Sequence, residues 1–327
     1  MTYDQEKQLA IAAVTQAAAL CQQVRTEMVG VDLLKKGDRS PVTIADFGAQ
    51  ALVCRLLTES FPTDAIVAEE DSSDLQQRPE MLAQVTQYVQ RFQPQATAET
   101  VCRWIDAGNG SVSDRYWTLD PIDGTKGFLR NDQYAIALAL VEQGQAKVAA
   151  LACPTLPLSL EAPNGEIGSL FVAVRGEGAA LAPLGRGGFR PIQVSREADV
   201  AGSRFVESVE SAHGHHDLQQ AVARAAGISR PSLRMDSQAK YGAVARGDAA
   251  LYLRLPSPKS PDYRENIWDH AAGALLVEEA GGRVTDMFGQ PLDFGSGQKM
   301  VRNRGVVVSN RALHRAVIEV LTRFEKA

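Results

Sequence analysis

At residues 117–128 the chain reads WTLDPIDGTKGF, in which a strand end runs into a tight acidic turn. The residues up to Leu119 are typical of a strand, and the Pro, Gly and Thr that follow are typical of a turn. Two carboxylates, Asp120 and Asp123, flank the backbone carbonyl of Ile122. Such a cluster of hard oxygen atoms is the ligand set that Mg²⁺ prefers, so the turn predicts a divalent-metal site.

The residues after the turn predict an anion site. A helix that starts at Gly124 and Thr125 would point backbone N–H groups at an anion, with the Thr125 hydroxyl beside it. Taken with the acidic turn, this predicts a phosphate held between metal ions and a helix N-terminus.

One other interpretation of the turn stays open at this point, and a second fails on its spacing. Asp-Gly is a common turn pair, so Asp120 and Asp123 could simply cap a turn. Phosphatases with an aspartyl nucleophile use Asp-x-Asp-Gly-Thr, but Pro121 stands two residues before Asp123, so the spacing does not fit. Other acidic segments of the same character would favour a metal site over a turn.

Composition bounds the fold and the partners. The 327 residues are 45% hydrophobic and 22% charged, which suits a globular chain of two packed lobes or one large α/β unit. The net charge of −5 argues against a nucleic-acid polymer as partner, although metal ions would let an acidic protein bind a small polyanion. We expect no membrane span and no secretory signal, and the four scattered cysteines predict buried thiols in a reduced, cytoplasmic setting.

Two acidic segments precede the turn. Asp46 falls at the start of a helix predicted over residues 47–59, where capping that helix is its alternative role. An apolar strand, residues 65–68, ends on Glu69 and Glu70. Neighbouring side chains on an extended chain point opposite ways, so only one of these two glutamates can face a metal.

Two charged residues in the second half of the chain, Arg254 and Asp269, are further candidate site residues. Residues 249–255 alternate weakly, as a strand does, and Arg254 inside them requires an anion or a carboxylate. Asp269 stands at the start of a well-marked helix that ends at Gly281. It either caps that helix or projects into a cleft and closes a metal cage.

A histidine-rich segment, residues 213–217, reads HGHHD. It lacks the paired spacing and the nearby Cys of a zinc site. We therefore predict a loop and a helix start, in which His216 or Asp217 caps the helix or donates a hydrogen bond.

These segments together resemble the lithium-sensitive, Mg²⁺-dependent phosphatases of the inositol monophosphatase superfamily. The matching pieces follow the family's order from about Lys36 to Asp286: AEE at 68–70, DPIDGT at 120–125, WDxAAG at 268–273 and EAGG at 279–282. The resemblance implies an α/β fold, a layered αβαβα sandwich of two lobes with the active site between them. It also implies two or three Mg²⁺ ions.

A narrower likeness is to the 3′(2′),5′-bisphosphate nucleotidase branch of that superfamily. It rests on residues 36–43, 126–130, 209–210 with 216–217, 236–241 and 252–256, most of which inositol monophosphatases proper lack. The HGHH segment departs from the branch, which usually has a Ser pair before the His. The likeness divides the chain into an N-terminal lobe (1–190) with the metal-binding loops and a C-terminal lobe (191–327) with the nucleotide contacts and the last metal ligand.

By resemblance, each predicted residue receives a role. The metal ligands are Glu69, Asp120, the Ile122 carbonyl, Asp123 and Asp269. The phosphate lies at Gly124 and Thr125, and Asp46 and Thr125, with Glu70 close by, orient the attacking water. The nucleotide contacts are His216, Asp217, Ser237, Lys240 and Arg254.

The activity that the resemblance implies is hydrolysis of the 3′-phosphate of adenosine 3′,5′-bisphosphate (PAP) to AMP. Its sulfated relative (PAPS) is a second candidate substrate. A metal-activated water attacks without a covalent intermediate. The expected partner is therefore a small phosphorylated nucleotide. An inositol phosphate phosphatase on the same scaffold and a non-catalytic metal or nucleotide sensor are the alternatives.

Overall fold

The strand that carries the acidic turn lies second in a seven-stranded sheet whose strands follow the chain order. The first two strands pair in parallel and all the others are antiparallel. In this computed structural model, which describes residues 2–28, 40–162, 165–196, 200–210, 216–257 and 259–325, the strands are β1 (Ala65–Ala68), β2 (Arg115–Asp123), β3 (Ala135–Glu142), β4 (Gln145–Pro157), β5 (Ile167–Val174), β6 (Gly178–Pro183) and β7 (Arg190–Ile192).

A second sheet of five strands follows, in the order β11-β12-β10-β8-β9. Its strands are β8 (Phe205–Glu207), β9 (Leu233–Arg234), β10 (Leu251–Arg254), β11 (Arg283–Thr285) and β12 (Val306–Ser309). The first sheet thus ends at Ile192 and the second begins at Phe205, while a lobe boundary at residue 190 stays a prediction.

Ten helices are found among the described residues. They are α1 (Asp4–Met28), α2 (Ser40–Ser60), α3 (Ser73–Gln76), α4 (Pro79–Gln90), α5 (Ala98–Asp106), α6 (Thr125–Arg130), α7 (His216–Ala225), α8 (Ala239–Ala245), α9 (Ala271–Glu279) and α10 (His314–Glu325). None of the described helices is long and apolar enough to cross a membrane.

The helices and sheets stack in five layers, which confirms the predicted αβαβα sandwich. Helices α1 and α2 cover one face of the first sheet, where Trp117 and Leu119 point, and the alternate residue Tyr116 points to the opposite face. Helices α8 and α9 fill the space between the sheets. Helices α7 and α10 cover the outer face of the second sheet.

The middle layer is tightly packed. A Cβ atom on Gly273 of α9 would lie 2.3 Å from the ring of Tyr241 on α8, so this contact requires glycine. Three of the four cysteines, Cys21, Cys54 and Cys153, are buried free thiols in the layers, as predicted.

Two helix starts and one strand end differ from the prediction. Helix α2 begins at Ser40 rather than Phe47, because a proline in the first turn loses no helical hydrogen bond. Helix α9 begins at Ala271, and His270 is its N-cap residue. The capping roles considered for Asp46 and Asp269 are therefore wrong. Strand β2 also runs on through the predicted turn to Asp123.

Candidate active site

The predicted acidic residues converge from three places in the fold. Glu69 directly follows β1, Asp120 and Asp123 lie at the end of β2, and Asp269 precedes α9. The carboxylate oxygens of Asp120, Asp123 and Asp269 all lie within 4.8 Å of one another. These three and Glu69 line a single cavity of about 300 Å³.

A strand irregularity explains how both aspartates of β2 reach this cavity. Residues three apart on a regular strand point to opposite faces of the sheet. The pairing of β2 with β3 shifts register between Asp120 and Asp123, and such an irregularity re-aims the side chains that follow it. Ile122 lies within this irregular segment and also lines the cavity.

The acidic cluster is electrostatically unfavourable without a cation. Burial, and then the charges of Asp269 and Glu70, raise the pKa of Glu69 to about 8. Burial and the neighbouring carboxylates also hold the pKa of Asp120 well above its usual range. One oxygen of Asp120, Oδ1, is buried and has no hydrogen-bond partner among the described residues. A buried, unpartnered carboxylate oxygen amid three further carboxylates suits a hard divalent cation.

Two of the predicted water-orienting residues lie beside the cavity wall. Asp46 is buried on α2, and burial, followed by the charges of Glu70 and Glu69, raises its pKa well above the usual range. Neither Asp46 nor Glu70 is among the described residues that line the cavity. Thr125 does line it.

The segment that carries Glu69 and Glu70 is held by a buried glutamine that sequence analysis did not identify. The side chain of Gln50 accepts a hydrogen bond from the Glu70 N–H at 3.0 Å. Its amide group donates to the carbonyls of Glu70 at 2.5 Å and Ile105 at 3.0 Å. Gln50 therefore fixes the chain directly after β1, where the two glutamates lie.

The opposite wall of the cavity is cationic. Lys240 on α8 is buried, donates to the Ser237 carbonyl at 2.7 Å and lies over the Tyr252 ring at 5.2 Å. Burial lowers its pKa to about 8, against the attraction of Asp123. Arg254 on β10 donates through Nε to Glu265 at 3.0 Å. The sequence predicted that Arg254 needs an anion or a carboxylate, and Glu265 is that carboxylate.

Glu265 also anchors a buried chain of hydrogen bonds that sequence analysis did not identify. His270 Nε2 lies 3.2 Å from Glu265, and His270 Nδ1 lies 2.7 Å from the Tyr241 hydroxyl. Burial raises the pKa of Glu265, but Arg254 and His270 outweigh it and lower that pKa to about 2. Glu265 is therefore ionised and holds both cavity-lining residues in place.

The loop before α8 joins the acidic and cationic walls. Ser237 has a left-handed backbone, with φ of 65°. It packs so closely on Gly124 that a Cβ atom added to Gly124 would lie 2.9 Å from the Cβ of Ser237. The next residue, Gln238, donates its backbone N–H to Asp123 at 2.6 Å and its side-chain amide to the Trp268 carbonyl at 3.0 Å. Gln238 thereby ties Asp123 to the loop that presents Asp269.

Two predicted nucleotide contacts lie elsewhere. Helix α7 begins at His216, with Asp217 in its first turn, so the predicted helix start is confirmed. Neither residue is among the described residues that line the cavity. The other histidines of this segment, His213 and His215, and the resemblance segment at residues 36–39 lie outside the described residues.

Comparisons with known proteins agree with this geometry. The Inositol monophosphatase family profile matches residues 3–325. A 3′(2′),5′-bisphosphate nucleotidase from Schizosaccharomyces pombe is 44% identical over 98% of this chain and 95% of its own length. Another, from Emericella nidulans, is 41% identical over the full length of both chains.

Solved structures show the shared fold. An inositol monophosphatase from Zymomonas mobilis matches with a TM-score of 0.65 over 98% of this chain and 99% of that chain, at 19% identity. The family profile and relatives above 40% identity both extend over nearly all of the sequence. This chain therefore belongs to the inositol monophosphatase family.

Proposed function

We propose that this chain is a Mg²⁺-dependent 3′(2′),5′-bisphosphate nucleotidase that hydrolyses the 3′-phosphate of PAP to give AMP. The observation that supports the proposal is one cavity with an acidic cluster on one wall and two cations on the other, the buried Lys240 and the partly exposed Arg254. A substrate with two phosphates can place one at each wall. The names of the relatives with more than 40% identity point to the same substrate.

We assign the metal ligands to Glu69, Asp120, the Ile122 carbonyl, Asp123 and Asp269, with two or three Mg²⁺ ions as the expected occupants. When bound, the ions would neutralise the phosphate and acidify the attacking water. The chain's own contribution is a rigid set of oxygens: the Gln238 N–H fixes Asp123, and Gln50 fixes the segment that carries Glu69.

The attacking water needs groups that orient it and take up its proton. We assign this role to Asp46 and Thr125, with Glu70 beside them. A carboxylate whose pKa is raised by burial accepts a proton more readily than an exposed one, which suits Asp46 to the task. As the water oxygen bonds to phosphorus, the bond from phosphorus to the 3′-oxygen breaks and that oxygen gains a proton.

The phosphate and the nucleotide meet the remaining walls. Gly124 has a φ of 89°, and we assign its backbone N–H and that of Thr125 as donors to the phosphate oxygens. Lys240, Arg254 and Ser237 would hold the second phosphate and the ribose. Burial lowers the pKa of Lys240, and the negative charge of the second phosphate would raise it again, so the lysine stays protonated. His216 and Asp217 are proposed contacts to the rest of the nucleotide.

The experiment is phosphate release with Mg²⁺ from PAP, from PAPS and from inositol 1-phosphate. We expect strong preference for the two nucleotides and loss of activity in Asp123→Asn. Glu319→Gln, which removes an exposed carboxylate on α10, is the matched control and should retain full activity. Arg254→Ala should raise KM for PAP, and an unchanged KM would refute the role given to Arg254.

The same assay separates the alternatives. Activity on inositol 1-phosphate alone would keep the metal site and refute the nucleotide assignment. No turnover of any of the three substrates, with Mg²⁺ still bound, would favour a non-catalytic sensor.

A further inference from the structure

Three tyrosines line the described part of the candidate active-site cavity, and they differ in exposure. Tyr241 and Tyr252 are buried, at 1% and 3% exposure, and pack edge to face with ring centroids 5.3 Å apart. Tyr263 is 44% exposed. The rings of Tyr241 and Tyr252 are thus packed inside the protein, whereas the Tyr263 ring exposes aromatic surface at the cavity.

Contacts on one side hold the Tyr263 ring in position. The ammonium group of Lys299 lies over the Tyr263 ring, 5.5 Å from the ring centroid. This ammonium group also donates a hydrogen bond to Asn266 Oδ1 at 3.3 Å. Burial, and then the charges of Glu265 and Asp269, raise the pKa of the Tyr263 phenol, so the ring stays uncharged. A ring with a cation over one face keeps its other face for a ligand.

The surroundings restrict which ligand that face can take. Asn266, Asp269 and Arg254 line the cavity beside Tyr263, so a ligand on this ring also lies next to the acidic cluster and the cationic wall. Nucleobases stack readily on exposed aromatic rings, because every base has a flat π-face. A base-free sugar phosphate or an inositol phosphate has no such face.

We propose that Tyr263 is a specificity-determining residue whose ring stacks against the purine base of the nucleotide substrate. This inference rests on the proposed nucleotidase function and extends it. Arg254 and Tyr263 line the same cavity, so base and phosphate are recognised by adjoining groups. A bisphosphate that carries a base is thereby preferred to one that does not.

The test compares PAP with a base-free ribose 3,5-bisphosphate in wild type, Tyr263→Ala and Tyr263→Phe. Stacking on an aromatic ring corresponds to a factor of about 5 to 150 per base. We expect Tyr263→Ala to lower kcat/KM for PAP by a factor in that range, chiefly through KM. Its kcat/KM for the base-free substrate should stay within about twofold of wild type.

Tyr263→Phe keeps the ring and should retain the wild-type preference for PAP. Phe288→Ala, which removes an aromatic side chain that is 48% exposed and does not line the described cavity, is the control and should behave as wild type. Thermal unfolding of each variant checks that folding is intact.

Each other result overturns the inference. An equal loss on both substrates would make Tyr263 a structural residue, and no loss on either would remove it from the site. A loss in Tyr263→Phe as large as in Tyr263→Ala would assign the effect to the hydroxyl. If wild type releases no phosphate from PAP, the proposed function itself fails, and the inference falls with it.

Discussion

Replacing Asp120 by Asn should stabilise the metal-free protein, because it removes one negative charge from the acidic cluster. Ligand oxygens of Asp120, Asp123 and Asp269 lie within 4.8 Å of one another. Two unit charges at that distance repel by about 3.5 kcal/mol at an effective dielectric constant of 20. Proton uptake limits this cost, since burial and its neighbours already raise the pKa of Asp120. We therefore expect a gain of about 2–3 kcal/mol at pH 8.

Calorimetry in EDTA at pH 8 measures this gain directly. An unfolding entropy of about 2.1 cal/mol/K per residue converts it to a Tm rise of roughly 3–4 °C for a chain of this length. In millimolar Mg²⁺ the order should reverse, because wild type gains the free energy of metal binding and the variant lacks one ligand. Glu319→Gln should leave both Tm values unchanged. A lower Tm for Asp120→Asn in EDTA, or the same Mg²⁺-dependent rise in both proteins, would refute the assignment of Asp120 as a metal ligand.

Three further outcomes follow from the surroundings of individual side chains. The pKa of Glu69, raised to about 8, means that the folded state binds more protons than the unfolded chain. The Tm of the metal-free protein should therefore fall as pH rises from about 4.5 to 8, and Glu69→Gln should flatten that profile; an unaltered slope would contradict this. Burial lowers the pKa of His314 to about 4, so stability in Mg²⁺ should decline as pH falls from about 6.5 to 4. Urea unfolding should show that His314→Gln removes this decline, and a persisting decline would exclude His314 as its source. Gln50→Ala removes the partner of both the N–H and the carbonyl of Glu70, so it should cost about 2–3 kcal/mol in urea unfolding and reduce kcat. Gln50→Met, which keeps the length of the side chain but makes neither hydrogen bond, should lose stability and kcat as Gln50→Ala does, and a kcat unaffected in both would show that Gln50 does not position the glutamates.

The acidic half of the candidate site was largely predictable from the sequence. Asp120, Asp123 and Asp269 each follow or precede a clear apolar segment, and carboxylates at several element ends indicate convergence. The local sequence pattern did not predict where some helices begin or where strand β2 ends. The Ser-Pro pair that opens α2 resembles a loop, although it also suits a helix start, and the irregularity in β2 depends on its pairing with β3.

The residues that hold the site in place were not predictable in this way. Gln50, Gln238 and His270 act through hydrogen bonds to segments that are distant in the chain, and Glu265 acts through its bonds to Arg254 and His270. No spacing rule marks such partners, because a buried amide or imidazole on a helix resembles any other polar residue. A signal existed only for Glu265: the arginine in β10 required a carboxylate, but the sequence did not specify which one.

The position of Gln238 has a consequence for refolding. Its backbone N–H holds Asp123 at the end of the first sheet, and its side chain contacts the Trp268 carbonyl and the Gly273 N–H in the segment that leads to the second sheet. The carboxylate cluster is complete only when these layers are packed against each other. Recovery of catalysis after dilution from denaturant should therefore lag behind recovery of secondary structure, and the delay would measure the docking step.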